Sequence, residues 1–456
     1  MYLSLIRNWF INYIYKKKAD PSPLAVFRIG FGIMMAISIV RFWSYGWIEL
    51  LYLNPKFHFK YYGFEWVKVF GNLNYLIFLL CFISAVFVAI GYRYKLSIIT
   101  FFLTFTYIEL MDKTTYLNHY YFISSLSFLM CFLPAGKYFS LDNYFSKKTY
   151  RTIPKWSIDS LKLFICLIYF FAGIAKLNSD WLFEAQPISI WFKSKYDLPI
   201  IGENLMQFPW FHFLVSWCGM LYDIFIPFLL LYSRTRILAF IFVIIFHVLT
   251  KIFFPPIGMF PFIMIVSALI FFSPKFHNKI ISKLRRLLFV KSSNLKELNL
   301  KSSNYALVIV ILFLIIQTLL PLRHILYPGE LFWNEEGYRF SWRVMLMEKR
   351  GYSTFKIEDS VTKKFFYVDN QDFLTPFQEK QMSFQPDFIL EYAHFLGDHF
   401  KNQGHKNLKV YVDSFVALNG RPSQRFVDPS VDLYQIKESF KHKNWIIPFK
   451  HEIKGF

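Results

Sequence analysis

The stretch Leu163-Phe-Ile-Cys-Leu-Ile-Tyr-Phe-Phe-Ala-Gly-Ile-Ala-Lys176-Leu-Asn-Ser-Asp-Trp181 decides how this chain is read. An unbroken apolar run stops at a lone amine, and a polar, tryptophan-bearing segment follows at once. That is the pattern of a membrane helix meeting an interface. Runs of the same kind recur at Leu24–Phe42, Leu73–Ile90, Leu96–Leu110, Leu117–Leu133, Phe211–Tyr232, Ile237–Phe253, Ile257–Phe272 and Tyr305–Leu322, and the quoted one begins at Leu161. They predict a polytopic α-helical membrane protein of about nine transmembrane helices. The runs Leu96–Leu110 and Leu161–Ala175 are the shortest candidates. With 55% of the 456 residues hydrophobic and 21% aromatic, the chain does not fit a soluble globular class.

The formal charge of +21 would suit nucleic acid, but acidic and basic residues nearly balance from Arg323 onward. The excess lies in loops of the membrane half, which excludes a nucleic-acid stripe as its reason. The basic segments are Lys16-Lys17-Lys18, Arg93-Tyr94-Lys95, Lys147 to Arg151, Arg234-Thr235-Arg236, and Lys275 to Lys301. They fall on alternate turns, as the positive-inside rule requires if the N-terminus is cytoplasmic. Residues 1–322 then form the membrane domain. Residues 323–456 form an extracytoplasmic domain on the same face as the loops Asp112–Leu117 and Lys176–Pro209. Strand patterns at Phe365–Val368 and Leu408–Val416 and a helix over Ser383–Asn402 predict a mixed α+β fold for it. No cleavable leader is expected, because more than twenty residues precede the first apolar run.

Within this frame Lys176 has two readings. Lysines at helix ends ordinarily snorkel to the headgroups. An amine held partly out of water instead loses the hydration that favours its protonated form, and becomes a usable proton acceptor. Other polar groups fall in or beside the apolar runs: Arg28, Glu109, Asp112, Asn118, His119, Asp223 and His247. Each needs a partner or a cavity. Arg28 is placed to snorkel, and Asp223 to pair with another helix or line a pocket. His119, on the face of Lys176, is placed to orient a reacting group, and His247 reads first as a satisfied core histidine. Cys81, Cys131, Cys166 and Cys218 all sit in apolar runs and read as buried thiols rather than a disulfide framework. No histidine or cysteine set has metal-ligand spacing, so an enzyme here would be metal-free.

The blocks Leu110-Met-Asp-Lys-Thr-Thr-Tyr-Leu-Asn-His119 and Phe170-Phe-Ala-Gly-Ile-Ala-Lys-Leu-Asn-Ser-Asp-Trp181 resemble the vitamin K-dependent γ-glutamyl carboxylases. The resemblance continues in order through Leu24–Gly32, Phe246-His247, Ile257–Phe260, Tyr338-Arg-Phe-Ser-Trp342, Asn419-Gly-Arg421 and Gln424–Asp432. It implies that Lys176 is the base that ionises vitamin K hydroquinone. Reaction with O2 then creates a stronger base that takes the γ-proton of a protein glutamate; CO2 adds there, and the cofactor leaves as its 2,3-epoxide. The resemblance places Asn118, His119, Lys176 and Met345 at the cofactor, with Lys176 and His119 catalytic. It places Tyr338, Ser341, Trp342 and Arg421 at the glutamate substrate, and makes Arg28, Asp112, Asp223 and His247 structural or pocket groups. The implied partners are a glutamate-containing protein or peptide, membrane lipid and quinone.

Four departures from the vertebrate members narrow this. Ala175 stands where they have a second lysine, and Met347 where they have a histidine. The luminal cysteine pair has no counterpart, and the chain stops soon after Asp432 instead of running into a long tail. Epoxidation is therefore better supported than carboxylation, and a bacterial inner membrane suits the cysteine-free outer domain better than an endoplasmic reticulum. Epoxidation without carboxylation, and a quinone- or lipid-binding scaffold without chemistry, are the alternatives.

Overall fold

The computed structural model describes residues 12, 13, 16–194, 202–254, 257–288 and 296–456. The membrane part contains α1 (Ser22–Ser44), α2 (Asn74–Ile90), α3 (Tyr94–Met111), α4 (Asn118–Cys131), α5 (Trp156–Ile174) and the short α6 (Ser179–Phe183). It continues with α7 (Pro209–Leu231), α8 (Arg236–Phe253), α9 (Phe260–Ala268), α10 (Pro274–Leu287) and α11 (Asn304–Leu319). Every apolar run is helical, but a count of nine crossings is not confirmed among the described residues. Among the described residues 7 helices are long and apolar enough to span, or up to 8 if the pair Phe260–Phe271 and Pro274–Leu287, bent by 116°, counts as one. The runs expected to be shortest, α3 and α5, have 18 and 19 residues, because Tyr94-Lys95 and Trp156–Ser160 extend them at the N-terminal end. The short helices are α4, with 14 residues, and α9, with 9.

At one end of the bundle three basic segments form a small sheet. Strand β1 (Lys18–Ala19) pairs antiparallel with β2 (Lys148–Pro154), which pairs parallel with β3 (Lys296–Asn299). Part of the last basic segment, residues 289–295, lies outside the described residues. Arg28 does not snorkel. It is fully buried, donating to the carbonyls of Val88 (3.1 Å), Ala89 (3.0 Å) and Phe139 (2.5 Å), the first two at the end of α2, where helix carbonyls lack internal donors.

The other end carries the α+β domain. Its sheet has the order β5-β4-β6-β7, with β4 at Lys349–Asp359, β5 at Phe365–Tyr367, β6 at Leu408–Leu418 and β7 at Gln424–Arg425, all pairs antiparallel. Helices α12 (Pro376–Met382) and α13 (Pro386–Asn402) accompany it. The expected helix over Ser383–Asn402 begins three residues later, where Pro386 fits the first helical position. The apolar core of this domain runs on without a break into Trp181, Phe192, Phe211, Met220 and Phe253 of the membrane part.

A partly buried charge cluster joins the two parts. Lys113 Nζ lies 2.7 Å from Asp387 and 3.1 Å from Glu391, and Arg339 forks onto Asp387 at 2.7 and 3.1 Å. Gln378 donates to Asp112 at 3.0 Å. Burial opposes ionisation of Asp387, but Arg339 and Lys113 overrule it and hold the carboxyl well below the usual range. Burial pushes Glu391 up to about 7 against the pull of Lys113. Folded Glu391 therefore binds its proton more tightly than an unfolded chain, whose value is 4.5. Its stabilising contribution is complete below that value and is lost as pH rises through about 7. Glu391→Gln, neutral at every pH, is expected to flatten the fall in thermal stability across this window, an effect of about 1–3 kcal/mol. A variant melting with the wild-type pH slope would refute the assignment.

Candidate active site

Gly173, one turn before Lys176, lets α5 approach α7 closely: a Cβ there would lie 2.6 Å from the Ile224 side chain and 2.7 Å from its backbone nitrogen. This contact sets the end of α5 beside Asp223. Lys176 Nζ donates to Asp223 Oδ2 at 2.7 Å and to the Ala172 carbonyl at 3.0 Å, and it sits 5.3 Å from the ring centre of Trp181. Lys176 and Asp223 are each only 6% exposed. The amine does not snorkel, because its carboxylate partner comes from within the bundle.

The pair lines a cavity with about 1120 Å³ of empty space, whose wall is otherwise nearly all aromatic and aliphatic, including Phe122, Trp181, Phe246, Phe260, Met264 and Trp342. Tyr169, His247, Asn118 and Thr250 add further polar groups, with Tyr169 Oη and His247 Nε2 3.0 Å apart. His247 Nδ1 has no hydrogen-bond partner among the described residues. Sequence reading overlooked Tyr169, although its place seven residues before Lys176 puts both on one helix face. Cys81, Cys131 and Cys166 are buried, whereas Cys218 is exposed on α7 and borders the cavity.

A second, more polar groove of about 1970 Å³ lies between the bundle and the outer domain, bordered by Lys113, His119, Glu335, Tyr338, Arg339, Met347, Glu348 and Lys349. The two spaces share Asn118, Ile257, Phe260, Val344 and Met345, so one layer of side chains separates them. Asn118 is held in that layer, donating to the Arg343 carbonyl at 2.9 Å and accepting from Tyr116 Oη at 3.1 Å. His119 faces the groove; Phe260 stands between it and His247, with ring centres 5.9 and 5.7 Å away. The structure thus brings Lys176, Asp223, Asn118, Met345, His247 and Trp342 to one cavity, and places Tyr338 and His119 in the adjoining groove.

Two residues expected at the substrate are engaged elsewhere. Ser341 is buried, accepting from Arg323 at 3.2 Å and donating to the Gly337 carbonyl. Arg421 makes a two-pronged contact with Asp180 at 2.7 Å for each oxygen, four residues after Lys176. The loop around Ser341 is wound tightly, with Phe340, Trp342 and Met345 all at φ near +60°. Such conformations cost on the order of 1–3 kcal/mol each and hold only where surroundings enforce them. No group of three or more His, Cys, Asp or Glu able to hold a metal ion occurs among the described residues.

Residues 16–276 match the HTTM domain family. Residues 302–452 match the vitamin K-dependent gamma-carboxylase lumenal domain. No solved structure matches the chain. The first match spans more than half of the chain and covers the lysine-bearing helix, and the second covers the domain that bounds the groove. The chain therefore belongs to the HTTM domain family and resembles the vitamin K-dependent γ-glutamyl carboxylases.

Proposed function

We propose that this chain epoxidises reduced vitamin K with O2 and couples that reaction to carboxylation of glutamate in a protein substrate. The observation that carries the reading is the buried Lys176–Asp223 pair in an apolar cavity, one side-chain layer from a polar groove. The cavity suits the group: an apolar ring system meets aromatic and aliphatic walls, and a hydroxyl finds Lys176, Asp223 or Asn118. When bound, the cofactor supplies an oxidisable hydroquinone whose reaction with O2 drives proton removal from glutamate.

The pair holds one mobile proton between nitrogen and oxygen 2.7 Å apart, and is neutral wherever that proton lies. With the proton on Asp223 and the amine turned so that its lone pair leaves Oδ2, Lys176 Nζ can accept from a bound hydroxyl. Taking up the hydroxyl's proton makes the pair cationic beside the oxygen anion it has formed. In a cavity of low polarity that attraction is far stronger than in water. The aromatic wall keeps out water that would quench a strong base. Lys113, Arg339 and Lys349 at the groove are already paired with Asp387, Glu391 and Glu335, so the groove offers a peptide polar contacts rather than free positive charge; the distribution of basic segments supports an extracytoplasmic outer domain with the small sheet on the cytoplasmic side.

Met347 in the groove and Arg421 locked to Asp180 favour a second reading, epoxidation without carboxylation. Product analysis decides between them. Purified protein receives vitamin K hydroquinone, O2, labelled CO2 and a glutamyl peptide. Epoxide with matched label in the peptide supports coupling, and epoxide with an unlabelled peptide supports the second reading. Absence of both refutes the enzyme.

A further inference from the structure

Lys176 lies two residues beyond the end of α5, and the peptide groups after it have left the helix: Leu177 N–H reaches only to the Ile174 carbonyl, at 2.9 Å. A segment far away in sequence supplies the missing partners. Ser179 N–H donates to the Lys454 carbonyl at 2.7 Å, and Phe456 N–H to the Leu177 carbonyl at 3.0 Å. Lys454 N–H donates to Ser179 Oγ at 3.0 Å, and Asn178 faces Gly455 in an antiparallel bridge. Residues 454–456 thus run as a strand against residues 177–179, the segment that directly follows Lys176 in the chain.

The other side of this strand holds Arg343, whose chain neighbours line the cavity. The Phe456 ring packs on His324 at 5.1 Å and under the Arg343 guanidinium at 5.6 Å, and Arg343 Nη1 donates to the Phe456 carbonyl at 3.3 Å. Arg343 lies between Trp342 and Val344, both of which line the cavity, and its own carbonyl holds Asn118. One short segment therefore bridges the loop that carries Lys176 and the loop that carries Trp342 to Met345.

Only glycine fits at the crossing. Gly455 has φ +131°, and a Cβ there would lie 2.2 Å from the Leu177 carbonyl oxygen and 2.6 Å from Asn178 Cα. These are backbone atoms that cannot swing aside as a side-chain tip would.

We propose that residues Lys454–Phe456 are a positioning strand for Lys176, with Gly455 the residue that permits it. The proposal rests on the reading of Lys176 as the base. Unpaired loop peptides open locally at little cost, and a displacement of about 1 Å in a catalytic group lowers rate by about a hundredfold. The strand closes the hydrogen bonding of the Lys176 loop and fixes its distance from the facing wall.

The test compares the full chain with Gly455→Ala, using Gly397→Ala as a control. A Cβ at Gly397 would lie 2.3 Å from the Tyr434 ring, a milder, side-chain clash in the outer domain away from the cavity. Three quantities are read in detergent: amide exchange over residues 177–182, binding of oxidised vitamin K1 by tryptophan quenching, and epoxide turnover. Gly455→Ala is expected to speed exchange at least tenfold and lower kcat by about tenfold or more. Quinone affinity should stay within about threefold, since the cavity walls remain. Ser179→Ala, which removes one hydrogen bond and fits any backbone, is the milder variant should Gly455→Ala not fold, with a loss of about threefold in kcat.

Unchanged exchange in a folded Gly455→Ala protein overturns the strand. Unchanged kcat with faster exchange, or an equal kcat loss in Gly397→Ala, overturns the positioning role. A wild-type protein that binds the quinone but forms no epoxide refutes the reaction instead, while the exchange measurement still reads the strand.

Discussion

Lys176→Met should lower epoxide formation by about a thousandfold, the size expected when a positioned general base is lost. The effect should fall on kcat, because the apolar walls that bind the cofactor stay in place. Removing the lysine also leaves Asp223 buried without its cation, and breaking a buried pair from one side costs about 3–5 kcal/mol. A drop in activity could then reflect lost protein rather than lost chemistry. The double variant Lys176→Met/Asp223→Asn removes both charges and should regain much of that stability while remaining as inactive as the single variant. Turnover restored along with stability would remove Lys176 from the mechanism. Measuring turnover per folded molecule, with melting in detergent as the second readout, separates the two effects.

Arg421→Ala should be among the most destabilising single changes in the outer domain. Asp180 is completely buried, and its carboxylate is satisfied by both arms of Arg421 and by the Asn419 amide at 2.8 Å. Taking the guanidinium away leaves a buried anion with a single neutral donor, at a cost of about 3–5 kcal/mol. Melting or denaturant unfolding would show this directly. A residue that bound substrate would instead raise KM and leave stability unchanged, so the two measurements distinguish docking from recognition. The double change Asp180→Asn/Arg421→Gln should recover most of the loss, because neither member is then charged.

The helices were readable because a bilayer demands long apolar runs, and each run is a helix. Their number was less so. Run length alone cannot show that Phe272-Ser273-Pro274 marks a sharp bend, or that α4 stops at Cys131. Strand β4, the longest with β6, escaped notice because Lys349 and Ser353 lie on its buried face and break the alternation that marks a half-buried strand. At the site, Lys176 announced itself by position, but its carboxylate partner lies 47 residues away on another helix. Such a pairing depends on how α5 and α7 cross, which local pattern does not encode. His119 was expected on the same side of the bundle as Lys176; it lines the groove, with Phe260 between it and His247. Motif order carried the polar blocks of the outer domain, whereas the use of Arg421 as a clamp on Asp180 needed coordinates.

The parallel pairing of β2 with β3 has a consequence for biogenesis. Thr152 bonds to Asn299, 147 residues later in the chain, and α5 through α10 are threaded between them. A ribosome making about 5–20 residues per second takes roughly ten to thirty seconds to cover that interval. Throughout that time β2 offers an open edge, with only the two-residue β1 on its other side. Closure of the sheet therefore has to wait until the lysine helix and the helix of its aspartate partner have both been synthesised.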